Sequence, residues 1–216
     1  MADPREARLR LIRSANIGPV TYRRLVERFG SAEAAIEALP GLAARGGGRA
    51  PQLADPGAIR REIDRVERLG ARYLFLDDEA YPALLAEMET APPALILRGD
   101  LALSGRTPVA MVGARNASAA ACRFARQLAH GLAEAGASVV SGLARGIDTA
   151  AHQGSIEGGT IGVIASGIDV TFPPENRELQ ERVACEGLLV AEQPPGTEPL
   201  ARFFPSRNRI IAGLAL

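Results

Sequence analysis

The sequence predicts an α/β protein: a Rossmann-like parallel sheet, apparently incomplete, preceded by a small all-helical domain of SAM-like or helix-hairpin-helix-like kind. Three observations predict it. From Thr107 onward, short apolar runs alternate with helix-patterned stretches through Gly-bearing turns, the order of right-handed βαβ crossovers. The runs PVAMVG, ASVVSG, TIGVIASG and LLVAE are almost continuously apolar, as strands covered on both faces must be. Before residue 70 the apolar spacing is helical instead.

Residues 1–70 form the helical domain. LRLIRSA is followed by a turn at Asn16-Ile17-Gly18-Pro19 and then by VTYRRLVERFG, with Val20, Leu25 and Phe29 at helical spacing. SAEAAIEAL comes next, and Ser31 is a fitting N-cap for it. A glycine-containing hairpin between two helices is the pattern of modules that touch DNA phosphate through hairpin N–H groups, and equally of compact helical packing domains. Residues 41–51 (GLAARGGGRAP) read as a flexible break, and a helix over about 56–69 leads into a strand at ARYLFL. Residues 71–106, rich in Pro and with one further strand at 94–98, read as a connector that packs on the next domain.

Residues 107–216 carry the regular alternation. PVAMVG is the first strand and SAAACRFARQLAHGLAEAG its helix; ASVVSG leads to the helix GIDTAAHQGSIEGG, and TIGVIASG to the helix NRELQERVACEG. LLVAE follows, and a last helix opens at RNRIIAGLA. The chain reaches Leu216 inside that helix after four parallel strands, where a doubly wound sheet usually has five or six, so the sheet is expected to be cut short.

Composition narrows the function. Apolar residues make up 47% and charged residues 23%, the balance of an ordinary globular protein. No apolar run approaches the roughly 18 residues of a membrane span, and the N-terminus lacks the pattern of a secretory signal, so a cytoplasmic location without membrane partners is expected. Cys122 and Cys185 fall in helical stretches with neither a CxxC spacing nor a Cys/His neighbour, which argues for buried structural thiols and against metal or redox chemistry. The net charge is zero, yet all 25 basic residues are Arg, whose planar fork matches phosphate and stacks on bases. Most of them read as compositional bias. Only those at strand ends or in acid-free clusters count as evidence of function.

Ligands of open α/β sheets sit at the carboxyl ends of the strands, where helix N-termini present free N–H groups. The first strand ends Gly113-Ala114-Arg115-Asn116-Ala117-Ser118. Arg115 stands where a dinucleotide fingerprint needs its second glycine, so neither a clamped dinucleotide nor any other cofactor is expected; Arg115 adds a guanidinium to an anion site and Ser118 can cap the helix. The second strand ends Ser141-Gly142-Leu143-Ala144-Arg145-Gly146, whose two glycines permit an anion-cradling turn. Asp148 and His152, four apart on one helix face, read as a polar pair fixing the loop; no GxSxG nucleophile or third metal ligand accompanies them. The third strand ends at Gly167, before Phe172-Pro173-Pro174-Glu175-Asn176. Three glycine turns on one edge suggest a polyanion groove. Arg202-Phe203-Phe204-Pro205-Ser206-Arg207-Asn208-Arg209 then sets three arginines and two aromatics in eight residues without an acid, a composition for holding backbone phosphates while stacking an unpaired base. At least one of Phe203 and Phe204 is expected to be buried. Arg207, Asn208 and Arg209 are read as opening a helix, whose positive dipole end disfavours arginine unless a phosphate is bound.

VGARNAS, SGLARGIDTAAH, GTIGVIASGIDVTFPPEN and FFPSRNRIIAGL resemble, in order and spacing, the motifs of the DNA-processing protein A (DprA, or Smf) family, over about residues 75–216. The helical N-terminus resembles that family's SAM-like domain. The resemblance implies a cytoplasmic, non-enzymatic protein of natural transformation that dimerises, binds incoming single-stranded DNA and helps to load the RecA recombinase on it. It assigns phosphate contact to Arg115, Arg207 and Arg209, and matches Ser141, Gly142 and Gly146 to the second glycine turn; Gly113, Ser118, Arg145, Gly167, Phe204 and Asn208 complete the candidate DNA surface. Two other readings remain. One is a nucleotide-processing enzyme with a lysine-decarboxylase-like Rossmann fold, for which a PGGxGT-type loop and its Glu are missing from these residues. The other is a helical interaction module with an idle α/β domain.

Overall fold

The computed structural model describes residues 3–45 and 51–216. Of the break expected at 41–51, residues 41–45 continue a helix and residues 46–50 lie outside the described residues. Four helices come first: α1 (Pro4–Ile12), α2 (Pro19–Phe29), α3 (Ala32–Arg45) and α4 (Pro56–Arg68). Their starts are written in the sequence. Asp3 and Asp55 cap α1 and α4, each with Pro in the first helical turn, and Ser31 Oγ accepts from the Ala34 N–H at 3.2 Å to cap α3. α3 outruns its expected end at Leu39, passing Pro40 and Gly41, because Leu42 still packs on the cluster of Leu11, Tyr22, Leu25 and Leu39.

One six-stranded sheet follows. Its strands are β1 (Arg72–Phe75), β2 (Ala94–Gly99), β3 (Pro108–Ala110), β4 (Ser138–Ser141), β5 (Thr160–Gly167) and β6 (Leu188–Gln193), in the order β1-β2-β6-β5-β4-β3. β3 to β6 are parallel, as the alternation predicts, but β1 and β2 run antiparallel on the β6 side. The sheet is therefore mixed, and residues 71–106 supply two of its strands instead of a separate connector. The reason is packing. Tyr73, Phe75 and Ile96 enter the core on one face, Leu74, Leu95 and Leu97 the core on the other, so both strands are covered like their parallel neighbours.

Between the parallel strands lie α6 (Ala119–Glu134), α7 (Ile147–Ser155) and α8 (Arg177–Glu186). The order β3-β4-β5-β6 steps one place at a time in one direction, so right-handed crossovers put all three helices on one face. The other face is covered by α5 (Ala83–Ala86) and α9 (Phe203–Leu214), through Leu85, Ile210, Ile211 and Leu214. α9 ends at Leu214, two residues before the chain was expected to leave it. Neither cysteine is a buried thiol: α6 buries Ala125, Ala129 and Ala133 and leaves Cys122 half-buried on its shoulder, while Cys185 is exposed on α8. Among the described residues no helix is long and apolar enough to cross a membrane.

α6 and α7 approach so closely that small residues are obligatory. A Cβ at Gly154 would overlap the Arg126 carbonyl oxygen, and one at Gly158 would lie 2.7 Å from the Ala133 Cβ. Gly154→Ala is expected to lower the unfolding free energy by about 2 kcal/mol. Urea titration checks this: the midpoint falls while the slope stays that of the parent.

Candidate nucleic-acid interface

Parallel pairing brings the carboxyl ends of β3, β4, β5 and β6 to one edge, and the loops leaving them are built on close contacts. Gly146, at φ +74°, lets the β4 loop pass against the Ala114 carbonyl, where any Cβ would collide. A Cβ at Gly113 would lie 2.6 Å from Ile147 Cγ1. Both glycines serve to join two loops, and the Ile147 N–H then donates to Ala114 O at 3.3 Å. The joint leaves Arg115 at the surface, its Cζ 5.4 Å from the centre of the Phe204 ring. Among the described residues Arg115 forms no ion pair. Ser118 caps α6 by accepting from the Ala121 N–H, and the buried Ser141 donates to Met111 O at 2.6 Å. These two hydroxyls hold the frame.

Asp148 and His152 share a helix but not a bond. Asp148 accepts from the N–H groups of Gly142 and Ala144 at 3.2 and 3.4 Å, while His152 Nδ1 lies 2.7 Å from Thr160 Oγ1 on β5. The expected pair is corrected to two separate anchors, because α7 faces the β4 loop at Asp148 and β5 one turn later. Burial pushes the Asp148 carboxyl up against the opposing pull of Arg207 and the amides. Burial, reinforced by Arg207, holds the fully enclosed His152 down to about 3.

The third glycine turn is closed. Gly167 donates its N–H to Thr197 O at 2.9 Å and packs on the Pro194 carbonyl, so the turn at 194–197 covers it. The groove wall comes from further along the same loop. Phe172, 44% exposed, lies 5.8 Å from Phe204, and Asn176 Nδ2 clamps this loop to the β4 loop through Leu143 O at 2.9 Å. The sequence marks both residues only as parts of a turn; an aromatic in a Pro-rich turn, with no helix or strand to bury it, is the signal that sets Phe172 apart.

α9 opens at Phe203, four residues before the expected start, and this changes the reading of its arginines. Arg207 lies in the second turn, only 6% exposed, where its Nη1 donates to Gly142 O and to Val163 O, the latter at 2.8 Å. It fills the space a Gly142 Cβ would need. Burial holds its guanidinium below the usual arginine value, Asp148 opposing and Arg115 adding to the effect. Helical rotation sends the neighbours elsewhere: Asn208 is exposed in a hollow beside Gly113, and Arg209 pairs with Glu192 on the opposite side. Phe203 and Phe204 are both half-buried, and neither belongs to the core.

What results is one hollow of about 120 Å³ lined by Arg115, Gly142, Arg145, Phe172, Phe204 and Arg207. Asp148 lies beneath Arg207, and Glu175 at the rim bonds Arg145 and is held low by it. Arg115 is left as the charge without a carboxylate. Gly113 and Asn208 adjoin the hollow; Ser118, Ser141, Gly146, Asp148 and His152 support it; Gly167 and Arg209 stand apart from it.

An open α/β sheet with its parallel strands ending at one edge, where guanidinium groups and aromatic faces stand side by side, places the chain in the Rossmann-like class. Its family follows from comparison. The family profile of DNA recombination-mediator protein A matches residues 72–216, and that of the DprA-like N-terminal HHH domain matches residues 2–64. The chain belongs to the DprA/Smf family. It is 35% identical over 212 residues to Protein Smf of a Synechocystis species, covering 92% of this chain and 53% of that one. It is 43% identical over 139 residues to DNA processing protein DprA of Streptococcus pneumoniae, covering 63% and 49%. The solved structure of the S. pneumoniae DprA superposes with a TM-score of 0.69 at 37% identity, over 75% of this chain and 56% of the other. A Helicobacter pylori DprA structure, described for its single-stranded DNA binding mode, gives 0.62 at 28% identity, over 67% and 66%. The chain spans about half the length of the curated relatives it matches.

Two outcomes separate support from surface. Arg207→Met takes the side-chain donor from the buried Gly142 and Val163 carbonyls and is expected to cost about 2 kcal/mol of stability, whereas Arg115→Ala stays within about 0.5 kcal/mol; thermal and urea unfolding of both variants checks this. His152 binds no proton in the folded chain until about pH 3 but titrates near 6.5 when unfolded, so stability is lost as pH falls below 6.5, by up to about 1.4 kcal/mol per unit. Replacing His152 by Gln is expected to remove that component of the slope between pH 6.5 and 4 in unfolding titrations.

Proposed function

We propose that this chain binds single-stranded DNA across the carboxyl edge of its parallel strands without cutting it. The observation that carries the reading is the pairing of Arg115, exposed and free of any carboxylate among the described residues, with the half-exposed rings of Phe204 and Phe172. A guanidinium holds a phosphate, and an aromatic face accepts an unpaired base, a contact worth about 1 to 3 kcal/mol per base. Bases stacked inside a duplex offer no such face. Phosphate contacts carry no sequence information, so binding is expected to be indifferent to sequence. The H. pylori relative, described by its single-stranded DNA binding mode, supports the same reading for this chain.

The hydrolytic alternative finds its candidate pair out of reach: Asp148 is 5% exposed and His152 is fully buried, each engaged with protein groups. We therefore take the chain to act as a binding protein and not an enzyme. Following the family, the bound strand would be incoming DNA in natural transformation, held by a cytoplasmic homodimer and handed to the RecA recombinase.

Fluorescence anisotropy of a labelled oligo-dT, with duplex as the control, tests the reading. The parent chain is expected to prefer the single strand and to weaken steeply with salt. Arg115→Ala is expected to bind about tenfold more weakly, the value of one charge-assisted contact, and to lower the salt slope by roughly one. Glu175→Gln, which frees Arg145, should bind more tightly. Indifference of a folded Arg115→Ala chain would overturn the assignment.

A further inference from the structure

The same opening turns of α9 present a second stripe that the hollow does not use. Phe204 and Arg207 face the hollow; Phe203, Ser206 and Arg209, spaced three apart, face away from it into a groove of about 400 Å³. Across the groove stand Arg13 and the α1–α2 hairpin at Ile17 and Gly18. The carboxylate in its lining, Glu192, bonds Arg209, and Arg13 is paired with Glu62 at 2.8 Å. Arg202 has no ion pair among the described residues, and its Cζ sits 4.9 Å over the Phe203 ring. α2 begins at Pro19 with no side chain capping it and no acid in its first turn.

We infer that this groove is a second nucleotide subsite, which takes the next part of the same single strand after it crosses α9. The inference rests on the reading of the first hollow given above and adds the helical domain to the DNA path. The stripe carries it: a guanidinium without an ion pair among the described residues, stacked on an aromatic ring, and a neighbouring hydroxyl are the donors and the apolar face that a phosphodiester and its base require. The strand is assigned as the occupant because Phe203 and Phe204 are consecutive, so the two hollows share one helical turn as their common wall. The uncapped end of α2 supplies further N–H donors on the opposite side.

Gly18 provides the test. It has φ −86°, nothing lies within 4 Å of where its Cβ would be, and it occupies the N-cap position of α2. Asp and Asn are both good N-caps, so Gly18→Asp and Gly18→Asn should both fold; only Asp places a negative charge in the groove. Anisotropy is read with oligo-dT of about 4 and about 16 nucleotides, the range of single-strand site sizes. Gly18→Asp is expected to bind the longer strand about three- to tenfold more weakly and the shorter one normally, as is Arg202→Ala, with Gly18→Asn like the parent on both. If Gly18→Asp matches the parent on the longer strand, or loses both lengths equally, or is no worse than Gly18→Asn, the subsite is refuted. Failure of the first hollow reads differently, as a parent chain that binds neither length or an Arg115→Ala chain that loses nothing.

Discussion

The candidate interface depends on a guanidinium that is almost wholly buried. Arg207 spans from α9 to the Gly142 and Val163 carbonyls, and the Asp148 carboxylate on the far side gathers the Gly142 and Ala144 amides. One cation and one anion thus fix the β4 loop against α7, α9 and β5 together. The two charges do not form a salt bridge; each is held by backbone groups, and a buried charge so satisfied specifies a single loop arrangement because removing it leaves those groups without a partner. Gly142 is a glycine because that guanidinium occupies the space of its side chain.

With the loop fixed, exposed groups divide the work. Arg115 projects from a joint made by Gly113, Gly146 and Ile147, and the aromatic faces come from two other loops, Phe172 after β5 and Phe204 at the start of α9. A net charge of zero is compatible with this because the charges are unevenly placed: Arg5, Arg8, Arg13, Arg60, Arg65 and Arg98, all away from the hollow, pair with carboxylates, whereas Arg115 at the sheet edge pairs with none among the described residues. What a polyanion meets is the local imbalance at one sheet edge, not the average.

The sequence made the alternation of β3 to β6 with their helices legible because doubly covered strands must be apolar and their turns need glycine. It did not reveal β1 and β2 as sheet members, since a Pro-rich intervening stretch hid an antiparallel pair whose partner, β6, comes some ninety residues later. At the site, composition found the loops and the acid-free cluster but could not sort buried from exposed arginine. That sorting follows from where α9 starts: opening at Phe203 turns Arg207 inward, Arg209 toward Glu192 and Phe204 outward, and a four-residue error in a helix start rotates every assignment. Asp148 and His152 illustrate the same limit, since four-residue spacing proves a shared helix face but not a shared partner.

The most direct test of this division between brace and contact is a crystal structure of the chain with a short oligo-dT bound. The account predicts a phosphate on Arg115, a thymine against Phe204 or Phe172, and Arg207 still donating to the Gly142 and Val163 carbonyls. A strand held by Arg207 withdrawn from those carbonyls, or bound away from the carboxyl edge of the sheet, would contradict it.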